Sequence, residues 1–306
     1  MDMDYIAQVV KLSGIKNYSG NYRSLGGGEI NNTHLLDCGE EQVILRIAKQ
    51  PDQRSLHNEA SSLQLLNTEF VPRLIFFDEK LLINDRRWIM ESYIDGKTAN
   101  RLNINQFESL GCLLAEAHKV SEVKPKHKST WSRFLSECKA FGNEKQLLNH
   151  PDNKIRELIS IARPLFNKFD EKYPKITNSL CHGDATPSNI LLIDDIVALI
   201  DWEFSKFKDP MSEFSTIYYD DIEYNKGMWR VHISEDEKHA LFKGYKNNGG
   251  LIDIERISFW MNFDKLGAAV FLYWRINQSG YPATTEQIDQ YRVDLNNLLK
   301  SLENNI

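Results

Sequence analysis

In the first third of the chain, short apolar runs alternate with polar positions and are broken by glycine or acidic residues. Asn21–Leu25, Thr33–Asp37 and Gln42–Ile47 read as strands. Gly26, Gly27 and Gly28 stand between the first two and favour a tight turn. Leu56, Ala60, Leu63 and Leu66 recur at helical spacing, which predicts a helix over Arg54–Asn67. Val71–Phe77, Leu81–Asn84 and Arg87–Tyr93 return to strand character, and Asn84-Asp85 suits a hairpin turn. Past Asp95-Gly96 the period lengthens. Leu110, Leu113, Leu114 and Ala117 form one apolar face of a helix over Gln106–Val120. Further helices are predicted over Ser129–Phe141, Asp152–Phe169, Pro210–Tyr219, Ser234–Asn247, Ile252–Asn277 and Thr285–Leu302. Inside this helical part, Ile190–Ile193 and Ile196–Ile200 flank Asp194-Asp195 as a small β-hairpin. A β-rich segment followed by a helical one is an α+β layout. The change of texture places a hinge at Glu91–Gly96 and divides the chain into residues 1–94 and 95–306.

Composition narrows the class. The 306 residues are 42% hydrophobic and 26% charged, which suits two globular lobes with an ample core. The net charge is −6, and charges of both signs are interspersed without a basic stripe. That pattern argues against a nucleic-acid partner and mildly favours cationic ones. Cys38, Cys112, Cys138 and Cys181 show no CxxC spacing, so they read as reduced thiols in a reducing compartment. The longest apolar run, Leu266–Trp274, falls short of the roughly 20 residues that a membrane span needs. Met1–Leu12 carries Asp2, Asp4 and Lys11 and lacks the apolar stretch of a signal peptide. The expectation is a cytoplasmic protein without membrane or nucleic-acid partners, its oligomeric state left open.

One stretch carries chemistry. It runs Cys181-His182-Gly183-Asp184-Ala185-Thr186-Pro187-Ser188-Asn189 and is followed by Leu199-Ile200-Asp201-Trp202-Glu203. Phosphoryl transfer needs a carboxylate near the attacking hydroxyl and oxygen ligands that hold a metal against the phosphates. Asp184 and Asn189 have the Asp-to-Asn separation of a kinase catalytic loop. Asp201 ends an apolar run, and a carboxylate at a strand end beside an asparagine suits a hard cation.

HGDxxxxN followed by IDWE resembles the aminoglycoside phosphotransferase and choline/ethanolamine kinase superfamily, and the resemblance extends from Tyr22 to Tyr219. It implies a two-lobed, protein-kinase-like fold. Residues 1–94 would form the nucleotide-binding lobe and residues 95–306 the catalytic and acceptor-binding lobe. It also implies ATP and Mg2+ as cofactors, Asp184 as catalytic base, Asn189 and Asp201 as metal ligands, and His182 as an orienting residue of the loop. Gly26, Gly27 and Gly28 with Asn32 are similar to the nucleotide loop of choline kinase-like enzymes. Arg46, in Val43–Ile47, stands where kinases carry a phosphate-binding lysine. Arginine is found there in the choline/ethanolamine branch, and its fork can engage phosphate in bidentate fashion. Glu59 is its natural ion-pair partner, while Lys49 is a nearby cation outside the strand pattern. Glu91 to Tyr93 would meet the base through backbone groups, whatever their side chains.

The resemblance thus implies an enzyme that phosphorylates a hydroxyl of a small, cationic, choline- or ethanolamine-like amino alcohol. An aminoglycoside phosphotransferase is the alternative, and a non-catalytic nucleotide-binding pseudokinase is an alternative of another class. HRD, DFG and APE are absent, which argues against a protein kinase. For the acceptor, Tyr218-Tyr219-Asp220-Asp221-Ile222-Glu223-Tyr224 and the aromatics Trp260, Tyr273 and Trp274 are candidates. Aromatic faces with carboxylates hold quaternary ammonium groups, although aromatics at helical spacing also serve as core. In Asp209-Pro210-Met211-Ser212-Glu213, Glu213 replaces the aspartate of choline kinase-like relatives, which is expected to alter capping and leave the metal site intact.

Overall fold

The computed structural model describes residues 3–27, 31–50, 55–80, 82–122, 128–215, 217, 233–278 and 284–305. The elements run α1 (Met3–Ser13), β1 (Tyr22–Gly27), β2 (Asn31–Cys38), β3 (Glu41–Ala48), α2 (Ser55–Leu63), β4 (Leu74–Phe76), β5 (Trp88–Ser92), β6 (Lys97–Thr98) and α3 (Ile104–His118). They continue with α4 (Thr130–Glu137), α5 (Glu144–Leu148), α6 (Asn153–Lys172), β7 (Ser179–Cys181), β8 (Ile190–Ile193), β9 (Ile196–Leu199) and β10 (Lys206–Lys208). Three helices close the chain, α7 (Glu235–Asn247), α8 (Ile254–Asn277) and α9 (Thr285–Asn305). These elements gather into two units, each drawn from separate stretches of the chain. The first holds Met1–Val120, Leu180–Phe207 and His239–Gly250, and the second holds Ser121–Ser179, Lys208–Lys238 and Leu251–Ile306.

In the first unit a five-stranded antiparallel sheet has the order β1-β2-β3-β5-β4. Its two faces differ because side chains alternate along a strand. Val43, Leu45 and Ile47 of β3 pair with Ser92, Met90 and Trp88 of β5. Most of these join Tyr5, Ile6, Val9 and Val10 of α1 in one buried cluster. Ile44 and Arg46 point the other way, as do their counterparts Glu91 and Ile89. Asn84 and Asp85 both have positive φ, 52° and 60°, the backbone of a type I′ turn. The predicted strand around them shrinks to a single bridge between Ile83 and Arg86.

The chain comes back to this unit at residue 180. The β8–β9 hairpin pairs with β6 to form a three-stranded sheet, and Leu199 N–H donates to Phe70 O at 3.0 Å. Helices α3 and α7 cross at two glycines. A Cβ added to Gly111 would lie 2.0 Å from Leu241 O, and one added to Gly244 would lie 1.9 Å from Glu108 O. Only glycine lets the two backbones come so near.

The second unit is helical, with an aromatic core of Trp131, Phe134, Phe166, Phe259, Trp260 and Phe263. Over the described residues 210–215 the predicted α-helix of Pro210–Tyr219 does not form. The observed element is a short 3-10 turn, Pro210–Glu213, and residues 216, 218 and 219 lie outside the described set. Two hydroxyls favour the tighter turn: Ser212 Oγ donates to Asp209 O at 2.7 Å and Ser215 Oγ to Ser212 O at 2.7 Å, competing for the carbonyls an α-helix would use. Glu213 is buried in this turn, and Asp209 is its cap, accepting from Met211 N–H at 3.0 Å. All four cysteines are free thiols, and among the described residues no helix is long and apolar enough to cross a membrane.

Candidate active site

The loop after β7 is built around His182, which is fully buried. Asp184 N–H donates to His182 Nδ1 at 3.2 Å, so Nδ1 is an acceptor. Nε2 then carries the proton and faces Ile200 O at 3.0 Å. The imidazole therefore ties the loop to the strand end that leads into Asp201. Gly183 has φ 81°, and a Cβ there would lie 2.6 Å from Phe204 O. No side chain fits at that turn.

Asp184 and Asn189 are brought together as the spacing suggests. Asn189 Nδ2 donates to Asp184 Oδ2 at 2.8 Å and to Asp184 O at 2.9 Å. Ile200 N–H donates to Asn189 O at 3.0 Å, which seats Asn189 beside the Asp201 segment. Asp201 itself has left-handed backbone, φ 66° and ψ 65°. A non-glycine residue held there stores about 1–3 kcal/mol of strain, which the surrounding bonds must offset.

Those bonds converge on Arg46, which is 7% exposed on the inner face of β3. Its Nη1 pairs with Glu59 of α2, and its Nη2 lies 2.8 Å from Asp201 Oδ1 and 3.6 Å from Glu203 Oε2. Glu59 Oε1 also accepts from Trp202 N–H at 3.2 Å. Asn31 Nδ2 donates to Glu203 Oε2 at 2.6 Å, closing a link across 172 residues of sequence. Glu91 completes the set of acids around the guanidinium.

A single guanidinium among four carboxyl groups sets the electrostatics. Burial pulls the Arg46 pKa down, but Glu59, Asp201 and Glu91 outweigh it and hold the group firmly protonated. Burial pushes the Glu59 carboxyl up. Arg46 opposes that shift, while Glu91, Asp201 and Glu203 add to it. Burial likewise raises Glu91 to about 7, with Arg46 opposing and Asp201 adding.

Beside this cluster lies a cavity of about 600 Å³. Arg46, Glu91, Tyr93 and Asp201 line it, with Gly26 and Thr33 from the β1–β2 hairpin. Gly26 has φ 101° at a register shift in β1, and Gly27 pairs with Asn32. Gly28 lies outside the described residues. Asn32 sits opposite Ile47, on the face that α1 covers, so strand alternation keeps it off the Arg46 face. Its neighbours Asn31 and Thr33 take that face instead. Tyr93 N–H donates to Gln42 O at 3.2 Å and is thereby occupied.

The acceptor candidates fare differently. Tyr218–Tyr224 lies outside the described residues. Trp260 is core, with its Nε1–H donating to Asp209 Oδ2 at 2.7 Å. Tyr273 and Trp274 line a separate groove of about 680 Å³ in the helical unit, with Phe141 and His150.

The sequence pattern of the phosphotransferase enzyme family (APH) matches residues 21–259. The chain belongs to this family. The match spans the glycine turn, Arg46, the His182–Asn189 loop and Asp201. Protein LicA of Haemophilus influenzae is 22% identical over 226 residues, which cover 72% of this chain. The chain spans 61% of that protein's length. Among solved structures, choline kinase LicA from Streptococcus pneumoniae has a TM-score of 0.65 at 16% identity, covering 98% of this chain and all of that one (100%). Spectinomycin phosphotransferase, solved with ADP and spectinomycin, has a TM-score of 0.63 at 14% identity and covers 97% of each chain. The α+β, protein-kinase-like fold of the phosphotransferases is therefore the fold of this chain.

Two members of the cluster were not given roles in the sequence. Glu203 stood in the IDWE motif and Asn31 in the glycine turn, but nothing local indicated that they meet.

Proposed function

We propose that this phosphotransferase moves the γ-phosphoryl group of ATP to the hydroxyl of a small amino alcohol of the choline or ethanolamine class, with Mg2+ as cofactor. The observation that carries the reading is the Arg46 fork. It joins Glu59 of α2 to Asp201 on the rim of the 600 Å³ cavity.

The residues fit a hard cation. Asn189 commits its amide nitrogen to Asp184, so its carbonyl oxygen is not used in that contact. The Asp201 side chain is 32% exposed and so accessible to an ion. Both donors are oxygens, the chemistry that Mg2+ prefers. In this reading Asn189 and Asp201 hold the ion, which neutralises phosphate charge when bound. Arg46 supplies the fixed positive charge of the cavity, braced by Glu59. Asp184, oriented by Asn189, takes the proton of the acceptor hydroxyl. As that oxygen bonds to the γ-phosphorus, the bridging P–O bond to the β-phosphate breaks and ADP leaves. Residues 1–94 supply the phosphate- and base-facing groups, while the rest of the chain supplies Asp184, Asn189, Asp201 and the acceptor contacts.

The amino alcohol is favoured by the likeness to choline kinase LicA and by arginine at position 46. A second reading, aminoglycoside phosphorylation, is favoured by the comparable likeness to spectinomycin phosphotransferase. ADP release with Mg2+ and ATP, measured over choline, ethanolamine and several aminoglycosides, tests both. Turnover with an amino alcohol supports the first reading. Turnover confined to aminoglycosides replaces it with the second, and ATP binding without turnover across the panel leaves the kinase fold standing with a different acceptor.

A further inference from the structure

The side chain of Glu91, and not only its backbone, faces the cavity. Along β5, Trp88 and Met90 join the α1 core, so Ile89 and Glu91 share the face of Ile44 and Arg46. Glu91 is only 4% exposed, yet it lines the cavity. Its Oε2 has no hydrogen-bond partner among the described residues. Arg46 does not fill that role, because its terminal nitrogens face Glu59, Asp201 and Glu203. Buried acceptors are almost always paired, so this one is placed for a donor that arrives with a ligand. The nearby walls are apolar: Leu25, Ile44, Pro72, Leu191 and Ile200 offer faces to a planar ring.

We propose that the Glu91 carboxyl selects the nucleobase: it accepts a hydrogen bond from the exocyclic amino group of adenine and disfavours a purine with a carbonyl oxygen at that position. The assignment rests on the nucleotide reading of the cavity. A site built around a substrate N–H rejects an analogue that lacks it, since its own acceptor is then left unpaired.

The test is equilibrium binding of ADP, IDP and GDP to the full chain at pH 8, where the Glu91 carboxyl is ionised and can only accept, as wild type, Glu91→Gln and Glu91→Leu. IDP keeps the ring of ADP but carries oxygen in place of the amine. Wild type should prefer ADP over IDP by about tenfold or more. Glu91→Gln can present either an amide donor or a carbonyl, so it should bring the two within about threefold of each other, chiefly by tightening IDP. Glu91→Leu keeps an apolar wall and should bring ADP affinity down to that of IDP. Circular dichroism of each variant shows whether it is folded. An unchanged ADP-to-IDP ratio in folded variants that still bind ADP overturns the role of Glu91. GDP binding more tightly than ADP to wild type overturns the choice of adenine. Failure of wild type to bind any of the three overturns the nucleotide reading itself, a distinct result.

Discussion

Replacing Glu91 by glutamine should make the protein more stable in mild alkali and leave it nearly unchanged in mild acid. Burial raises the Glu91 carboxyl from 4.5 to about 7, against the pull of Arg46. An acid whose pKa is higher in the folded state holds its proton more tightly there than in the unfolded chain. Its contribution is complete below the unfolded value and is lost as pH rises through the folded value. The window is therefore pH 4.5 to about 7. About 2.5 decades of proton affinity at about 1.4 kcal/mol each give about 3 kcal/mol by pH 8. Glutamine keeps the shape and never ionises. Urea unfolding from pH 5 to pH 8, followed by tryptophan emission and far-UV circular dichroism, gives the comparison where the two signals coincide. The curves should nearly meet around pH 5, with the variant ahead by about 3 kcal/mol at pH 8. Parallel curves across the range would refute the argument, because they would mean that Glu91 ionises as freely in the folded protein as in the unfolded one.

Three further outcomes are expected. Asp184→Asn should lower kcat by about 10²–10⁴ while leaving ATP affinity within a few-fold, measured by steady-state kinetics and binding; near-wild-type turnover removes Asp184 from the base role. Gly111→Ala should destabilise by about 2–4 kcal/mol in urea unfolding, because its methyl would meet Leu241 O at 2.0 Å and force α3 from α7; an unchanged midpoint would show that the crossing yields freely. Burial holds the His34 imidazole below 6.5, and neither ring nitrogen has a partner among the described residues. The stability tied to neutral His34 is present above pH 6.5 and lost as pH falls through the folded value, so His34→Leu should flatten the acid limb of the melting-temperature profile.

Local chemistry was legible in the chain; long-range closure was not. Asn84-Asp85 announced its turn because few residues tolerate two consecutive positive φ angles. The Asp184–Asn189 contact was legible because five residues of a tight loop leave few geometries. Helix α1 carried a readable signal in Tyr5, Ile6, Val9 and Val10, which lie one helical turn apart, but the flanking charges Asp2, Asp4 and Lys11 masked it. The Asn31–Glu203 bond joins positions whose separation no local pattern reports. Two placements were accessible through alternation. Val43, Leu45 and Ile47 mark one face of β3, so Arg46 belongs to the other, and pairing then carries Glu91 to the Arg46 side. The same count moves Asn32 to the α1 side of the sheet.

The Arg46 fork also constrains how this lineage can change. Lysine offers a compact charge on a single nitrogen, whereas the two ends of the guanidinium meet Glu59 on one side and Asp201 and Glu203 on the other. A lone exchange of Arg46 for lysine would give up at least one of these contacts. Substitutions at positions 46, 59, 201 and 203 should therefore combine non-additively, because the four side chains share one charge network.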